Sequence, residues 1–225
     1  MRPIQLALLF AAAMLVAGCA EPPRVGEPAP QPAPAVAAPT KKPTPEQIAE
    51  AFEALNKAFE KAYERILAER GTRSFRVRPA LAYDALQTAL TRLGMIVESR
   101  DPFVGTLTVA APAPKPLTLK EWQEVVQADL PLMASILCPR LGAYCKQLKF
   151  APDDYVIVIN ATVLPANTGS TVSLTTRMRE IVPRPGVPRR DYPPPTGVRK
   201  ALDKIWSGFE NQLGAEHLPA IRATR

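Results

Sequence analysis

The chain has 225 residues, 47% of them hydrophobic, which is enough to bury the core of one globular domain. Its formal charge of +7 favours anionic partners, although a solvated surface with an excess of arginine explains the same value. The single histidine, His217, lies near the C-terminus, and no cluster of His, Cys and carboxylate residues has zinc spacing. Composition therefore argues against histidine-based catalysis and structural zinc.

The first 18 residues have the pattern of a secretory signal peptide. Arg2 supplies the positive charge, and residues 6–18 are apolar but shorter than the ~20 residues that span a bilayer. The run LVAGC at residues 15–19 resembles the lipobox of bacterial lipoproteins. This resemblance implies lipidation of Cys19, palmitate being the typical acyl group, and attachment to the outer membrane, because Ala20 rather than Asp follows the cysteine. The alternative is a buried or accidental cysteine.

Residues 19–44 form a proline-rich tether. Prolines recur between Ala, Glu and Gln, a composition that favours extended polyproline II structure. At ~3.1 Å per residue, such a segment could reach roughly 75 Å. We therefore expect a periplasm-facing body held away from the lipid surface.

A long amphipathic helix is predicted over residues 45–71. Thr44 and Gln47 form a capping box and Pro45 suits the first helical position. The apolar stripe has two interpretations, packing on the following domain or a seam for a partner helix. The candidate partner-binding residues on it are Ile48, Phe52, Leu55, Phe59 and Tyr63.

Residues 72–111 alternate between strand and helix patterns. SFRVR, residues 74–78, is predicted to be a strand, residues 79–93 a helix that Gly94 ends, and MIVESR and TLTVAA two strands around the turn DPFVG.

An insert over residues 112–150 carries two further cysteines. Thr118 and Glu121 predict a capping box, and Pro131 predicts an interruption of the helix that follows. Cys138 and Cys145 are the two cysteines left after lipidation, so in an oxidising compartment a disulfide is favoured over a redox pair or a metal site.

The remaining sequence predicts a hairpin, a loop and a helix. Two strands flank PANTG, the segment 183–197 is a proline-rich loop, and a helix runs over residues 198–213 with Gly214 beyond it. The domain is therefore placed at residues 72–214, with an unpacked tail over residues 215–225.

These elements predict an α+β fold, an antiparallel sheet with helices packed mainly on one face. The order, preceded by a lipobox and a tether, resembles the helix-grip domains of outer-membrane assembly lipoproteins of the BamC type, with the stretch from Arg73 to Gly94 as the most similar part. The resemblance implies an accessory subunit of an envelope complex.

A basic surface is predicted on the helix-free face of the sheet. If the first and last strands share that face, Arg76, Arg78, Arg177 and Arg179 form a patch suited to phosphate or carboxylate groups. Its partners would be an envelope protein, anionic lipid or lipopolysaccharide rather than nucleic acid, and a hydrated sheet face is the alternative.

The sequence supports binding rather than catalysis. Asp153 and Asp154 are turn residues in this interpretation, and no cofactor motif is present. The expected function is that of a non-catalytic, protein-binding lipoprotein without cofactor. The alternative is lipid or small-molecule binding in a cavity between the C-terminal helix and the sheet, near Trp206 and Phe209.

Overall fold

The computed structural model describes residues 42–148, 151–182 and 188–217, with side chains as far as residue 214. The predicted signal peptide, Cys19, most of the tether and most of the tail lie outside the described residues. The elements in chain order are α1 (Pro45–Arg70), β1 (Thr72–Phe75), α2 (Pro79–Arg92), β2 (Ile96–Asp101), β3 (Thr106–Pro112), α3 (Leu119–Leu141), β4 (Tyr155–Ala166), β5 (Gly169–Glu180) and α4 (Pro195–His217).

The five strands form one antiparallel sheet in the order β1-β5-β4-β3-β2. Helices α2 and α4 cover one face, where alternate residues of β3, β4 and β5 are buried in the main core. Helix α1 packs on α3 and α4. The predicted α+β class, with helices packed against an antiparallel sheet and a long helix before it, is confirmed.

The helix α1 begins as the sequence predicts. The hydroxyl of Thr44 accepts a hydrogen bond from the Gln47 amide at 3.3 Å, and the Gln47 side chain accepts one from the Thr44 amide at 2.9 Å. The capping box of α3 has the same form at Thr118 and Glu121. Both caps act over three residues, which is why local sequence predicts them.

Helix α3 is not interrupted at Pro131, contrary to the prediction. It continues from Leu119 to Leu141 with Pro131 and Pro139 inside it. Both prolines are exposed, so the carbonyl groups that lose their amide partners can turn toward water.

Two predicted boundaries were also wrong. The first strand ends at Phe75, because its partner β5 begins at Gly169, one residue before the last pair Phe75–Ser170. Helix α4 continues through Gly214 to His217, so the tail begins later than predicted. A glycine without crowding neighbours lowers helix stability but does not by itself end a helix.

The α3 segment ends in a short 3₁₀ helix, Gly142–Gln147, which carries the second cysteine. The sulfur atoms of Cys138 and Cys145 are 2.00 Å apart, which is disulfide distance. The insert thus has the cysteine pairing that the sequence favours.

Candidate functional site

The apolar stripe of α1 is covered by the domain itself. Phe52, Leu55 and Phe59 are buried against Met133, Leu137 and Leu141 of α3, and Ile48 packs beside them. This corrects the interpretation of the stripe as an open seam for a partner helix. The stripe is the packing face of α1, because α3 presents a complementary apolar face.

Tyr63, the last of the predicted stripe residues, lies at the edge of β5 where β1 no longer pairs. Its hydroxyl accepts a hydrogen bond from the Thr176 amide at 3.2 Å. The guanidinium carbon of Arg177 is 4.7 Å from the ring centre of Tyr63 and 4.4 Å from that of Tyr192. Tyr192 in turn donates to Glu60 of α1 at 2.5 Å, and this hydrogen bond, followed by burial, raises the pKa of Tyr192.

A second arginine, Arg190, ties the proline-rich loop to the same region. It is buried, and its guanidinium carbon lies 5.4 Å from the ring centre of Phe52 and 4.7 Å from that of Tyr155. Its Nε lies 3.4 Å from the Oε1 atom of Glu180. Burial lowers the pKa of Arg190 to about 10, and Asp154 acts in the opposite direction. The link that Arg190 makes between the proline-rich loop, α1 and the sheet was not predicted from the sequence. The available signal was the sequence Arg189-Arg190-Asp191-Tyr192, charged and aromatic residues placed between prolines on both sides.

The predicted basic patch does not exist as one surface. Arg76 lies beside Gly169 at the start of β5, whereas Arg177 is eight residues further along that strand, roughly 27 Å away at ~3.4 Å per residue. Arg78 precedes α2 at the Arg76 end, and Arg179 pairs with Glu98 at 3.3 Å. The four residues thus divide into two pairs at opposite ends of the sheet, because β1 pairs with only the first part of β5.

In the part of the chain that the structure describes, little space remains where the alternative hypothesis places a cavity between α4 and the sheet. Trp206 and Phe209 are buried, and the ring of Phe75 lies 6.0 and 4.8 Å from theirs. The indole of Trp206 donates to the Arg70 carbonyl at 2.8 Å. The space left between α4 and the sheet near Ile157 and Val198 is about 10 Å³, so it admits no ligand.

The helix-free face of the sheet is polar along most of its width. Alternation along the paired strands places many hydroxyl groups on it, those of Thr72, Ser74, Thr106, Thr108, Thr162, Thr171, Ser173 and Thr175. Some pair across strands, as do Thr72 and Ser173 at 3.0 Å and Thr108 with Asn160 at 2.9 Å. This face is a polar surface on which several hydroxyl groups pair across strands, rather than a charged patch.

One end of the sheet exposes a rigid apolar turn between β2 and β3, which we call the hairpin tip (residues 101–105). Phe103 is fully exposed and Val104 is 60% exposed. The Asp101 carboxylate accepts hydrogen bonds from the amides of Phe103 and Val104 at 3.0 and 3.1 Å, and its carbonyl accepts one from Gly105 at 2.8 Å. The tip therefore holds an exposed aromatic ring on a fixed backbone.

Further groups lie at the same end of the sheet. Leu164 of β4 is 49% exposed and follows Val163, whose amide donates to the Gly105 carbonyl at 2.7 Å. Arg76 and Arg78 leave the sheet at this end. From the sequence, DPFVG was interpreted only as a turn. The available signal for an exposed aromatic contact was Phe103, a large aromatic residue between Pro102 and Gly105.

The described residues contain no group of three or more His, Cys, Asp and Glu side chains that could hold a metal ion. Among the same residues no helix is long and apolar enough to cross a bilayer. His217 is the last residue of α4.

Comparison of the chain with protein-family models, with curated proteins and with solved structures found no significant match.

Proposed function

We propose that this protein is a non-catalytic, periplasm-facing lipoprotein of the outer membrane that binds a protein of an envelope assembly or maintenance complex. The lipobox-like run ending at Cys19 supports the anchor, and the proline-rich residues after it support a tether. A disulfide between Cys138 and Cys145 suits an oxidising compartment.

The observation that carries the binding proposal is the hairpin tip. A fully exposed phenylalanine on a turn fixed by three hydrogen bonds loses little conformational freedom on binding. Buried aromatic residues also contribute much of the affinity of protein interfaces. Phe103 and Val104 form the apolar centre of the proposed contact, with Arg76 and Arg78 at its margin.

The position of the tip relative to α1 favours a protein partner over the anchoring membrane. Phe52 in the first half of α1 lies near Tyr155, at the end of the sheet where β4 begins and β5 ends. The hairpin tip is at the opposite end, where β4 ends. The first half of α1 thus lies at one end of the sheet and the hairpin tip at the other.

The contact is tested by the variant Phe103→Asp in the full-length protein. Partners are crosslinked in whole envelopes, recovered with this protein and quantified by mass spectrometry. We expect at least a ten-fold loss of the specific partner, because a charge replaces the apolar centre. The matched control is Ile96→Asp, which changes a 66% exposed residue at the other end of β2. Equal recovery with both variants would reject the hairpin tip as the contact.

The anchor is tested by Cys19→Ala. Acyl chains contribute ~0.8 kcal/mol per buried methylene, so removing their attachment site should move the protein from the membrane fraction to the soluble periplasmic fraction. Retention of the correctly processed variant in salt-washed membranes would contradict lipid anchoring.

A further inference from the structure

A cavity of about 430 Å³ lies between α3 and the chain that follows it. Leu130, Met133 and Leu137 of α3 line one side at helical spacing, with Cys138 of the same helix beside them, and Cys145 and Leu148 of the chain after α3 line the other side. The volume lies within the roughly 300–1,000 Å³ typical of ligand sites. We call this space the α3 cavity.

The chemistry of the α3 cavity restricts what it can hold. Its described walls are apolar apart from one charged side chain, the exposed Lys146. A polar ligand would lose its water without gaining hydrogen bonds from such walls. A ligand that fits is therefore apolar over most of its length. A charge at one end of it would be negative, because Lys146 can neutralise a negative charge there.

The cavity is open to solvent along α3. Leu130 is 42% exposed, although it forms part of an apolar wall. An extended chain lying along α3 would cover this surface, which favours a long, narrow ligand over a compact one.

We propose that the α3 cavity binds a single-chain anionic amphiphile, a long acyl chain with a carboxylate or phosphate head group. The acyl chain lies along Leu130, Met133 and Leu137, and the head group lies at Lys146. This site is separate from the hairpin tip, so amphiphile binding and partner recovery are measured independently and either can fail alone.

The start of α1 lies close to the same part of the fold. Lys42 and Pro43 line a surface depression together with Tyr144 and Gln147 of the 3₁₀ helix that carries Lys146. If the chain is lipid-anchored, which rests on the proposed function, the sequence between the anchor and the domain leads into α1 at this end.

The test is photo-crosslinking of the full-length lipidated protein in phospholipid nanodiscs. The probe is palmitate with a diazirine near the end of its chain, and labelled peptides are mapped by mass spectrometry. We expect adducts within residues 119–148. Absence of adducts there, with labelling elsewhere or none, would overturn the proposal.

A matched pair of tryptophan variants tests the cavity itself. Ala134 is an exposed lining residue, so Ala134→Trp places an indole in the opening, whereas Ser135→Trp changes an exposed neighbour that does not line the cavity. Labelling should fall at least five-fold in Ala134→Trp and stay near the wild-type level in Ser135→Trp. Equal labelling of both variants, with unchanged circular dichroism, would place the amphiphile elsewhere.

A charge reversal tests the head group. Lys146→Glu should reduce palmitate labelling several-fold, while the control Lys61→Glu, at an exposed position of α1, should not. A fatty alcohol with the same chain and photoreactive group should label wild type and Lys146→Glu equally. Competition by lysophosphatidylglycerol but not by oleate would assign a phosphate head, and the reverse a carboxylate. Equal palmitate labelling of Lys146→Glu and Lys61→Glu would overturn the role of Lys146.

Discussion

At the scale of single residues, the hairpin tip depends on a glycine. Gly105 has a φ of +78°, in the left-handed region that favours glycine. A Cβ atom built there would lie 2.1 Å from the carbonyl oxygen of Val163, and backbone atoms cannot move aside easily. Gly105 thus permits both the turn and the close approach of β3 and β4 that hold Phe103 in place.

We predict that Gly105→Ala lowers the free energy of unfolding by about 2–3 kcal/mol, from the strain of a positive φ together with the contact to Val163. The control is Gly214→Ala in α4, where no atom lies within 4 Å of an added Cβ. That change should raise stability by up to ~1 kcal/mol, as expected of alanine in a helix. Urea unfolding measures both. Equal stability of Gly105→Ala and wild type would show that the turn relaxes freely.

At the scale of elements, two of the polar contacts that join α3 and α4 lie at helix N-termini. Asp129 of α3 is buried and accepts hydrogen bonds from the amide and hydroxyl of Thr196, at 2.9 and 2.7 Å, in the first turn of α4. Lys204 of α4 donates to Glu121 in the first turn of α3 at 2.7 Å. Each contact satisfies or complements a helix N-terminus, where amides lack helical partners.

The contact between Glu121 and Lys204 gives a pH dependence with a definite sign. The hydrogen bond from Lys204, followed by that from the Thr118 amide, lowers the pKa of Glu121 from 4.5 to about 2. A carboxyl group with a lowered pKa in the folded state stabilises the fold above pH ~4.5, and this contribution is lost as the pH falls toward 2.

We therefore predict that the stability difference between wild type and Glu121→Gln is constant above about pH 5 and shrinks between pH 4.5 and 2. Lys204→Met should show the same decline, since it removes the other partner. Urea unfolding at a series of pH values measures the difference. A difference that stays constant down to pH 2.5 would contradict the lowered pKa.

At the scale of the whole molecule, α1 belongs to the folded domain. Its first half is buried against α3, and its second half against the β5 edge and α4. The arginine–aromatic contacts of Arg177 and Arg190 join α1, β5 and the proline-rich loop. Helix α1 is therefore part of the core, and we expect α1 and the sheet to unfold together.

We predict that Phe59→Ala lowers the free energy of unfolding by about 3–5 kcal/mol, the usual cost of removing a buried phenylalanine ring. Glu64→Ala, at an exposed position of α1, serves as the control. Hydrogen exchange of the β4 amides should speed up along with that of α1 in Phe59→Ala. Faster exchange confined to α1 would show that the helix unfolds separately from the sheet.

The sequence by itself determined those features that depend on near neighbours. The caps at Thr44 and Thr118 act over three residues, the helical stripes repeat every three or four, and the β4–β5 hairpin alternates with period two. The cysteines are seven residues apart, close enough for chain proximity to favour their pairing. Class, element order and the cysteine pairing could therefore be predicted.

Tertiary structure decided which surfaces are free, since that depends on contacts between residues far apart in the chain. The stripe at Phe52 and Phe59 predicts burial but not that α3 provides it. The short pairing of β1 with β5 separates Arg76 from Arg177, although both are arginines in predicted strands. Phe103 is exposed on the turn where β2 and β3 end, at the Thr106–Thr162 pair, whereas β4 and β5 stay paired as far as Ala166 and Gly169. No local pattern encodes how far neighbouring strands extend.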